Sequence, residues 1–319
     1  MSLRILRPAP LATVQDLGRF GFQALGIPTA GAADSFALRL GNRLLGNPDG
    51  AAAMEYWVMG PEVEATDSPV RLALTAGGGV RIRADGSRET LSPWRTLTLI
   101  PGERLALGPT LGGAVACLCV AGGIDVPPVM GSRSTYVRAA LGGLEGRVLR
   151  KDDVLPLAAA AAVPAPDVAL REAPVDGEGP IRVLLGPQDD RFSDEGIGRL
   201  FSETFRISPQ SDRMGKRLLG TPLTFAPGKG ADITSDAMVH GAIQVPGSGE
   251  PIIMMPDRAT VGGYAKIGAV ISADFPRFAR LKPGAEIRFI RVDDAAAVAA
   301  LSAFEVTLAA AAAGVVGLD

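Results

Sequence analysis

Residues that could transfer protons or stabilise negative charge are concentrated in 211–274, beside glycines and short apolar runs. This alternation is typical of loops that carry chemistry on a rigid β scaffold. Arg213 or Lys266 could stabilise charge that develops on a substrate oxygen. Asp212 or Asp257 could position water or accept a proton. These four are the candidate catalytic residues.

Each of these residues also has a purely structural interpretation. Asp212 and Arg213 could pair with each other and hold their loop. Asp257 could cap a turn or pair with Arg258, and Lys266 could be an ordinary solvated lysine. The residue types alone leave both interpretations open.

Composition limits the metal and histidine chemistry open to the chain, which has one histidine and two cysteines. A surface or hydrogen-bonded structural role is the main expectation for His240, because one imidazole cannot form a histidine metal cluster. Cys117 and Cys119 stand two apart in an apolar run, which predicts small buried side chains on one face of a strand. We therefore predict no metal in this chain, and the cysteine usage suits the reducing cytoplasm.

The bulk composition is that of an ordinary globular protein. Of 319 residues, 47% are hydrophobic and 21% are charged, and the net charge is −2. Such a balance favours neither nucleic acid nor an anionic membrane as a partner. No apolar run reaches about 18 residues and the N-terminus lacks the apolar core of a signal peptide, so we expect no membrane span and no leader.

The apolar pattern changes period along the chain. Asp34 is predicted to cap a helix in which Phe36, Leu40 and Leu44 share one face and after which Gly46 follows. Later runs predict strands at 70–75, 96–100, 104–107, 114–120, 181–185, 243–245, 252–255, 269–271 and 286–290.

Three stretches are more specific. The runs on either side of Pro101-Gly102 predict a hairpin. Residues 114–120 are apolar on both faces, which predicts a central, buried strand. The glycines at 77–79 lack the spacing of a nucleotide-binding loop, and no convincing helix follows them.

A break in composition divides the chain into two lobes. We predict an N-terminal lobe at 1–160, a linker with alanines and prolines at 161–180, a C-terminal lobe at 181–292, and an alanine-rich helix or tail at 293–319. An internal repeat, in which Leu40–Pro48 matches Met214–Pro222, favours duplication of a lobe, with chance recurrence of a Leu/Arg pattern as the alternative.

A series of ordered motifs runs through both lobes. They are Thr13–Arg19, Gly31–Asp34, Gly122–Pro127, Gly131–Thr135, Gly186–Gln188, Ser211–Gly215, Gly241–Pro246 and Gly262–Tyr264. Over about residues 5–292, the chain resembles the allophanate hydrolase subunit 2-like family, also called the biotin-dependent carboxyltransferase-like family, whose bacterial members include the C component of 5-oxoprolinase.

The resemblance implies a mainly β fold of two cyclophilin-like β-barrel lobes with a few short helices. It also implies two partners, a subunit-1-like protein and a lactam-utilisation-family subunit. The complex would open the lactam of 5-oxoproline to glutamate with ATP. The sequence has no P-loop pattern, so ATP would be bound by, or together with, a partner subunit.

Two other functions stay open. The chain could be a non-catalytic binding partner or antagonist of a subunit-1-like regulator. It could also be a carboxyltransferase component that acts on urea or a related amide, as in fused relatives, with biotin on a carrier that this chain lacks.

The resemblance further indicates residues that could bind a small amide substrate. They are Gln15, Asp16, Arg19, Arg133, Gln188, Ser211, Gln244, Gly262, Gly263 and Tyr264. We expect residues 211–274 to provide one lobe's share of the site, completed by the first-lobe members of this set and by a partner. Many relatives have Gln, Thr and Tyr where this chain has Ala259, Val261 and Lys216, which implies a different substrate or reduced activity.

Overall fold

The computed structural model describes residues 1–158, 166–174 and 179–318. The chain divides into two compact units. The first comprises Met1–Arg19, Ala30–Pro174 and Thr307–Asp319, and the second comprises Phe20–Thr29 and Val175–Val306. Most of the alanine run and of the polar stretch in the predicted linker lies outside the described residues.

Short strands joined by turns dominate both units, which confirms the mainly β class. The strands are β1 (Ser2–Arg7), β2 (Ala12–Gln15), β3 (Ala53–Trp57), β4 (Glu62–Ala65), β5 (Val70–Thr75), β6 (Gly77–Ile82), β7 (Arg88–Leu91), β8 (Arg95–Leu99), β9 (Arg104–Thr110), β10 (Val115–Val120), β11 (Val154–Pro156), β12 (Val168–Leu170), β13 (Ile181–Leu185), β14 (Phe205–Ile207), β15 (Gly215–Leu219), β16 (Asp232–Ala237), β17 (Ala242–Gln244), β18 (Ile252–Met254), β19 (Val261–Tyr264), β20 (Lys266–Val270), β21 (Glu286–Ile287), β22 (Phe289–Arg291) and β23 (Val315–Gly317). The helices are α1 (Ser35–Leu44), α2 (Asp194–Ser202), α3 (Phe275–Ala279) and α4 (Asp294–Ala313). Short 3-10 turns lie at Gln23–Leu25, Val137–Ala139 and Asp189–Arg191.

Two sheets build the first unit, with the strand orders β11-β1-β4-β9-β6-β7 and β2-β3-β10-β5-β8-β12-β23. β10 lies between β3 and β5, and all six of its residues are buried, which confirms the predicted central strand. Cys117 and Cys119 on β10 are free thiols. Burial raises the pKa of both thiols, so they act as small apolar side chains rather than nucleophiles. β12 lies inside the segment predicted as a linker.

The predicted hairpin around Pro101-Gly102 does not form. β8 pairs with β5 and β12 in one sheet, whereas β9 pairs with β4 and β6 in the other. Buried Glu103 holds the turn between them, since its carboxylate accepts from the Ile100 N–H at 3.2 Å and from Arg81 on β6 at 2.7 Å. Pro101-Gly102 correctly predicted a turn. It could not predict the pairing partners of β8 and β9, because these depend on which face of each strand is buried.

Helix α1 begins and ends where the sequence predicts. The Asp34 side chain accepts a backbone N–H of the first turn at 2.9 Å, which satisfies one of the unpaired donors of a helix start. Phe36, Leu40 and Leu44 are buried on one face. Gly46 follows the helix with a left-handed φ of 72°, a conformation that glycine adopts without strain.

The second unit is built on an eight-stranded sheet with the order β21-β14-β15-β18-β17-β20-β13-β22. β13 pairs antiparallel with β20 and parallel with β22. β16 and β19 form a separate two-stranded ribbon. The strands predicted between 181 and 290 are present, although β20 begins earlier than predicted, at Lys266, and the last run is divided between β21 and β22.

The internal repeat does not mark equivalent elements, so it gives no support to the duplication inferred from it. Leu40–Pro48 contains the end of α1, whereas Met214–Pro222 contains strand β15. In β15 the side chains alternate, with Lys216 and Leu218 buried and their neighbours exposed. The same Leu/Arg pattern can follow a helical or a strand period because its burial is decided by the surrounding sheet.

Helix α4 confirms the prediction of an alanine-rich helix after residue 293. It is also an exception to the expectation that no segment is long and apolar enough to span a membrane. It has 20 residues and is apolar enough by composition to cross a membrane, with 11% of its apolar window buried. The expectation overlooked this segment because Asp294 and Glu305 interrupt the apolar run. Length and composition of one such helix are weak evidence, and we draw no membrane topology from it.

Candidate functional site

A lysine, an aspartate and a glutamine of the second unit meet at the start of β20. The Lys266 ammonium donates to Oδ2 of Asp236, on β16, at 2.9 Å. Gln188 donates to the same oxygen through Nε2 at 3.2 Å, and its Oε1 accepts the Lys266 backbone N–H at 3.1 Å. We call Lys266, Asp236 and Gln188 the Lys266 cluster.

The Lys266 cluster holds a fixed cation at the boundary between core and solvent. The side chain of Lys266 is 3% exposed, whereas that of Asp236 is 48% exposed. The hydrogen bond from Lys266, followed by those from the Ala237 N–H and Gln188, lowers the pKa of Asp236, so this carboxyl group is ionised at neutral pH. A cation that is already oriented in this way can stabilise negative charge developing on a substrate oxygen.

The glycine-rich strand β19 lies beside this cluster, with Gly262 opposite Asp236 in the β16–β19 ribbon. A Cβ atom on Gly262 would lie 2.6 Å from Nε2 of Gln244, so a side chain at this position would displace the Gln244 amide. Gln244 is 8% exposed and donates to the Tyr264 carbonyl at 3.4 Å. The predicted residues Gln244, Gly262, Gly263 and Tyr264 therefore lie together, and Gln244 braces the ribbon.

Arg213 and Asp257 form a buried ion pair in the same unit. Nε and Nη2 of Arg213 donate to the two carboxylate oxygens at 2.9 Å each, and the side chains are 6% and 8% exposed. The pair joins the loop before β15 to the loop after β18. Because both carboxylate oxygens are bound to one guanidinium, the contacts favour a structural role for Asp257.

Asp212 and Ser211 shape the loop that carries Arg213. Asp212 is exposed, and its Oδ1 accepts the N–H groups of Met214 and Gly215 at 2.8 and 3.1 Å. The Ser211 hydroxyl donates to the Ser208 carbonyl at 2.8 Å. These contacts favour a turn-forming role for both residues.

Asp16 joins two loops of the first unit. One carboxylate oxygen accepts the Gly18 N–H at 2.8 Å and the hydroxyl groups of Ser132 and Ser134, and the other accepts the Arg133 N–H at 2.6 Å. The contacts favour a structural role over the predicted substrate contact.

The other first-unit candidates make similar internal contacts. Arg19 is fully buried and donates to the carbonyls of Val129 and Ser134 at 2.9 Å each. Gln15 donates to Thr13 Oγ1 and the Thr135 carbonyl. The Arg133 side chain donates to the Val126 carbonyl at 2.9 Å and to Asp125 at 2.7 Å.

Two charged residues that the sequence did not assign to the site belong to its surroundings. Asp236 completes the Lys266 cluster although it lies 30 positions earlier in the chain. No local sequence pattern predicts a contact between residues so far apart. Arg258 is 2% exposed, but its neighbour Asp257 pairs with Arg213 instead. Asp236 and Arg258 both lie in the polar region 211–274, so the clustering of polar residues there could have indicated them.

Lys216 is a buried lysine in the second unit. Its Nζ donates to the carbonyls of Phe278, Ala279 and Leu281 at 3.2, 2.7 and 2.6 Å, at the end of α3. Carbonyls at a helix C-terminus attract positive charge. Through these contacts Lys216 ties the end of α3 to strand β15.

Lys216 is expected to make the stability of the protein depend on pH above neutrality. Burial lowers the pKa of Lys216 from 10.5 to about 7, so between these values the unfolded chain holds a proton that the folded chain has released. Stability then rises with pH in this window, by at most about 1.4 kcal/mol per pH unit. Urea unfolding of wild type and Lys216→Met from about pH 6 to about pH 10 measures this. Equal slopes in the two proteins would contradict it.

Comparison with known proteins assigns the chain to a family. The family model described as "Carboxyltransferase domain, subdomain A and B" matches residues 25–291. The chain belongs to this family. It is 37% identical over 289 residues to the C component of 5-oxoprolinase from Escherichia coli (strain K12), and the match covers 91% of both chains.

Longer members of the carboxyltransferase domain family contain a similar region. The urea amidolyase of Lachancea kluyveri is 32% identical over 91% of this chain, but the match covers 17% of that protein. The crystal structure of the K. lactis urea amidolyase superposes with a TM-score of 0.84 and 28% identity over 96% of this chain. The chain spans about a fifth of that protein, since the match covers 20% of it.

Proposed function

We propose that this chain is the C component of an ATP-dependent 5-oxoprolinase, a hydrolase complex that opens the lactam of 5-oxoproline to glutamate. The observation that carries the proposal is the 37% identity to a protein of that name across 91% of both chains. A match over nearly the whole length of both proteins supports a shared role more strongly than a match to one region of a longer enzyme.

The Lys266 cluster suits the electrostatic demand of this reaction. A lactam carbonyl is a poor electrophile, and its oxygen gains negative charge when water attacks the carbonyl carbon. In the balanced reaction, 5-oxoproline, ATP and two water molecules give glutamate, ADP and phosphate. We assign Lys266 to stabilise that oxygen, Asp236 to hold the ammonium in place, and Gln188 to fix both.

The remaining components are assigned to the complex rather than to this chain. A subunit-1-like protein and a lactam-utilisation-family subunit are the proposed partners, in the cytoplasm. ATP is proposed to bind with a partner, because the sequence lacks a P-loop pattern and the glycine run at 77–79 lies in strand β6. Metal and nucleic acid have no part in the proposal.

The urea amidolyase relatives favour one alternative, a carboxyltransferase component that takes a carboxyl group from biotin. The 5-oxoproline reaction needs no biotin, so turnover in its absence separates the two functions. The third function, a non-catalytic antagonist of a subunit-1-like regulator, predicts binding to the partner without turnover.

Reconstitution tests the proposed function. The purified chain is mixed with a subunit-1-like protein, a lactam-utilisation-family subunit, ATP and 5-oxoproline, and glutamate and ADP are measured. We expect both products in the complete mixture without biotin, and neither above background when this chain is left out. A complete mixture that forms neither product contradicts the proposal.

A further inference from the structure

The second unit holds more buried positive than negative charge beside the loop at 257–260. Arg213, Asp257 and Arg258 are 6%, 6% and 2% exposed. The Asp257 carboxylate is bound on both oxygens by Arg213. The Asp257 carboxylate therefore balances the charge of Arg213, and the positive charge of Arg258 is not balanced by a carboxylate of its own.

Arg258 is held by neutral groups. Its Nε donates to the Met238 carbonyl at 3.0 Å, and its Nη1 donates to the Thr29 hydroxyl at 3.1 Å. Burial lowers the pKa of Arg258 to about 10, against the opposing effect of the Asp257 charge, so the group stays charged at neutral pH.

The adjacent histidine adds no charge to this group. The His240 ring packs on Phe275 at 3.6 Å between centroids, although part of the residue remains exposed. Loss of water around the ring, and then the positive charges of Arg258 and Arg213, lower the pKa of His240. The imidazole is therefore neutral at pH 7, and Arg213, Asp257 and Arg258 together carry one net positive charge.

A buried cation without a counter-ion is costly unless an anion binds to it. We propose that Arg258 is the carboxylate-binding residue of a small-molecule subsite, which takes a ligand with one negative charge. Arginine suits this role because its planar fork donates two parallel hydrogen bonds to a carboxylate. The inference rests on the proposed function, whose lactam substrate carries one carboxylate.

The Met238 segment connects this subsite to the Lys266 cluster. The Met238 carbonyl accepts a hydrogen bond from Arg258. The Met238 side chain packs against Gly262, since a Cβ atom on this glycine would lie 2.5 Å from Cε of Met238. Gly262 is opposite Asp236 in the ribbon. The Met238 segment therefore borders both Arg258 and the strand that pairs with Asp236 of the Lys266 cluster.

Calorimetric binding to the purified full-length chain tests the subsite without requiring turnover. The ligands are 5-oxoproline and 2-pyrrolidinone, which is the same lactam without a carboxylate. We expect wild type to bind 5-oxoproline at least about 10-fold more tightly than 2-pyrrolidinone, and Arg258→Gln to lose about 10- to 100-fold in affinity for 5-oxoproline, the range expected for hydrogen bonds to a charged group. Arg258→Lys, which keeps the charge but loses the fork, should bind with intermediate affinity.

A matched control is Arg206→Gln, since Arg206 is a 60% exposed arginine paired with Glu286 in the same unit. It should bind as wild type. The proposal is overturned if wild type binds neither ligand, if both bind equally, or if a folded Arg258→Gln binds 5-oxoproline like wild type. The affinities of wild type for 5-oxoproline and 2-pyrrolidinone test the proposal even if a variant does not fold. Selective binding without glutamate production by the complex would instead count against the proposed function alone.

Discussion

Replacing Asp257 with alanine is expected to lower the free energy of unfolding by about 3–5 kcal/mol, the range for breaking a buried ion pair. The change leaves Arg213 buried without its bidentate acceptor and places its charge beside that of Arg258. Urea unfolding followed by circular dichroism gives the free energy.

Two further variants separate charge from packing. Asp190 pairs with Lys229 at 2.7 Å on the surface of the same unit, and Asp190→Ala should change stability little because water screens the pair. Replacing Asp257 and Arg213 together with apolar residues should be less damaging than Asp257→Ala alone, since no unpaired charge remains from the pair. An Asp257→Ala protein as stable as wild type would show that the pair is not buried in solution.

Replacing Lys266 with methionine is expected to lower turnover by the reconstituted complex about 100- to 1000-fold, the range for removing one preorganised charge-stabilising group. Methionine preserves most of the apolar stem, so the chain should still fold and bind its partners. Asp236→Asn should have a smaller effect, because it weakens the hold on the ammonium but leaves the charge.

Lys229→Met is the matched control for Lys266. It removes a lysine that also pairs with an aspartate in the same unit, but whose side chain is 44% exposed. Turnover by this variant should equal that of wild type. If Lys266→Met also turns over like wild type while it is assembled with its partners, Lys266 has no part in the reaction.

Local sequence predicted those elements that local interactions decide. The helix from Asp34 was recognisable because its cap and its apolar spacing lie within a few residues of each other. Strand β10 was recognisable because both of its faces are apolar. The hairpin at Pro101-Gly102 was wrong, and the repeat did not mark equivalent elements, because strand pairing and the burial of a Leu/Arg pattern depend on distant residues.

The candidate site followed the same division. The polar residues of 211–274 marked the region, and Lys266 and its glycine strand do lie together. The sequence did not predict which carboxylate pairs with each cation. Arg213 and Asp257 are 44 positions apart, and Lys266 and Asp236 are 30 positions apart. Burial also reversed one expectation, because the solvated lysine considered for Lys266 is a 2% exposed residue.

The most direct test of the account is the rate of glutamate and ADP formation from 5-oxoproline by complexes that contain wild type, Lys266→Met or Lys229→Met. Each complex is first isolated intact by gel filtration, so that assembly and chemistry are measured separately. The account predicts biotin-independent glutamate formation with wild type and Lys229→Met, and a loss of about 100-fold or more with Lys266→Met. Equal rates for all three complexes, or no glutamate from the wild-type complex, would contradict it.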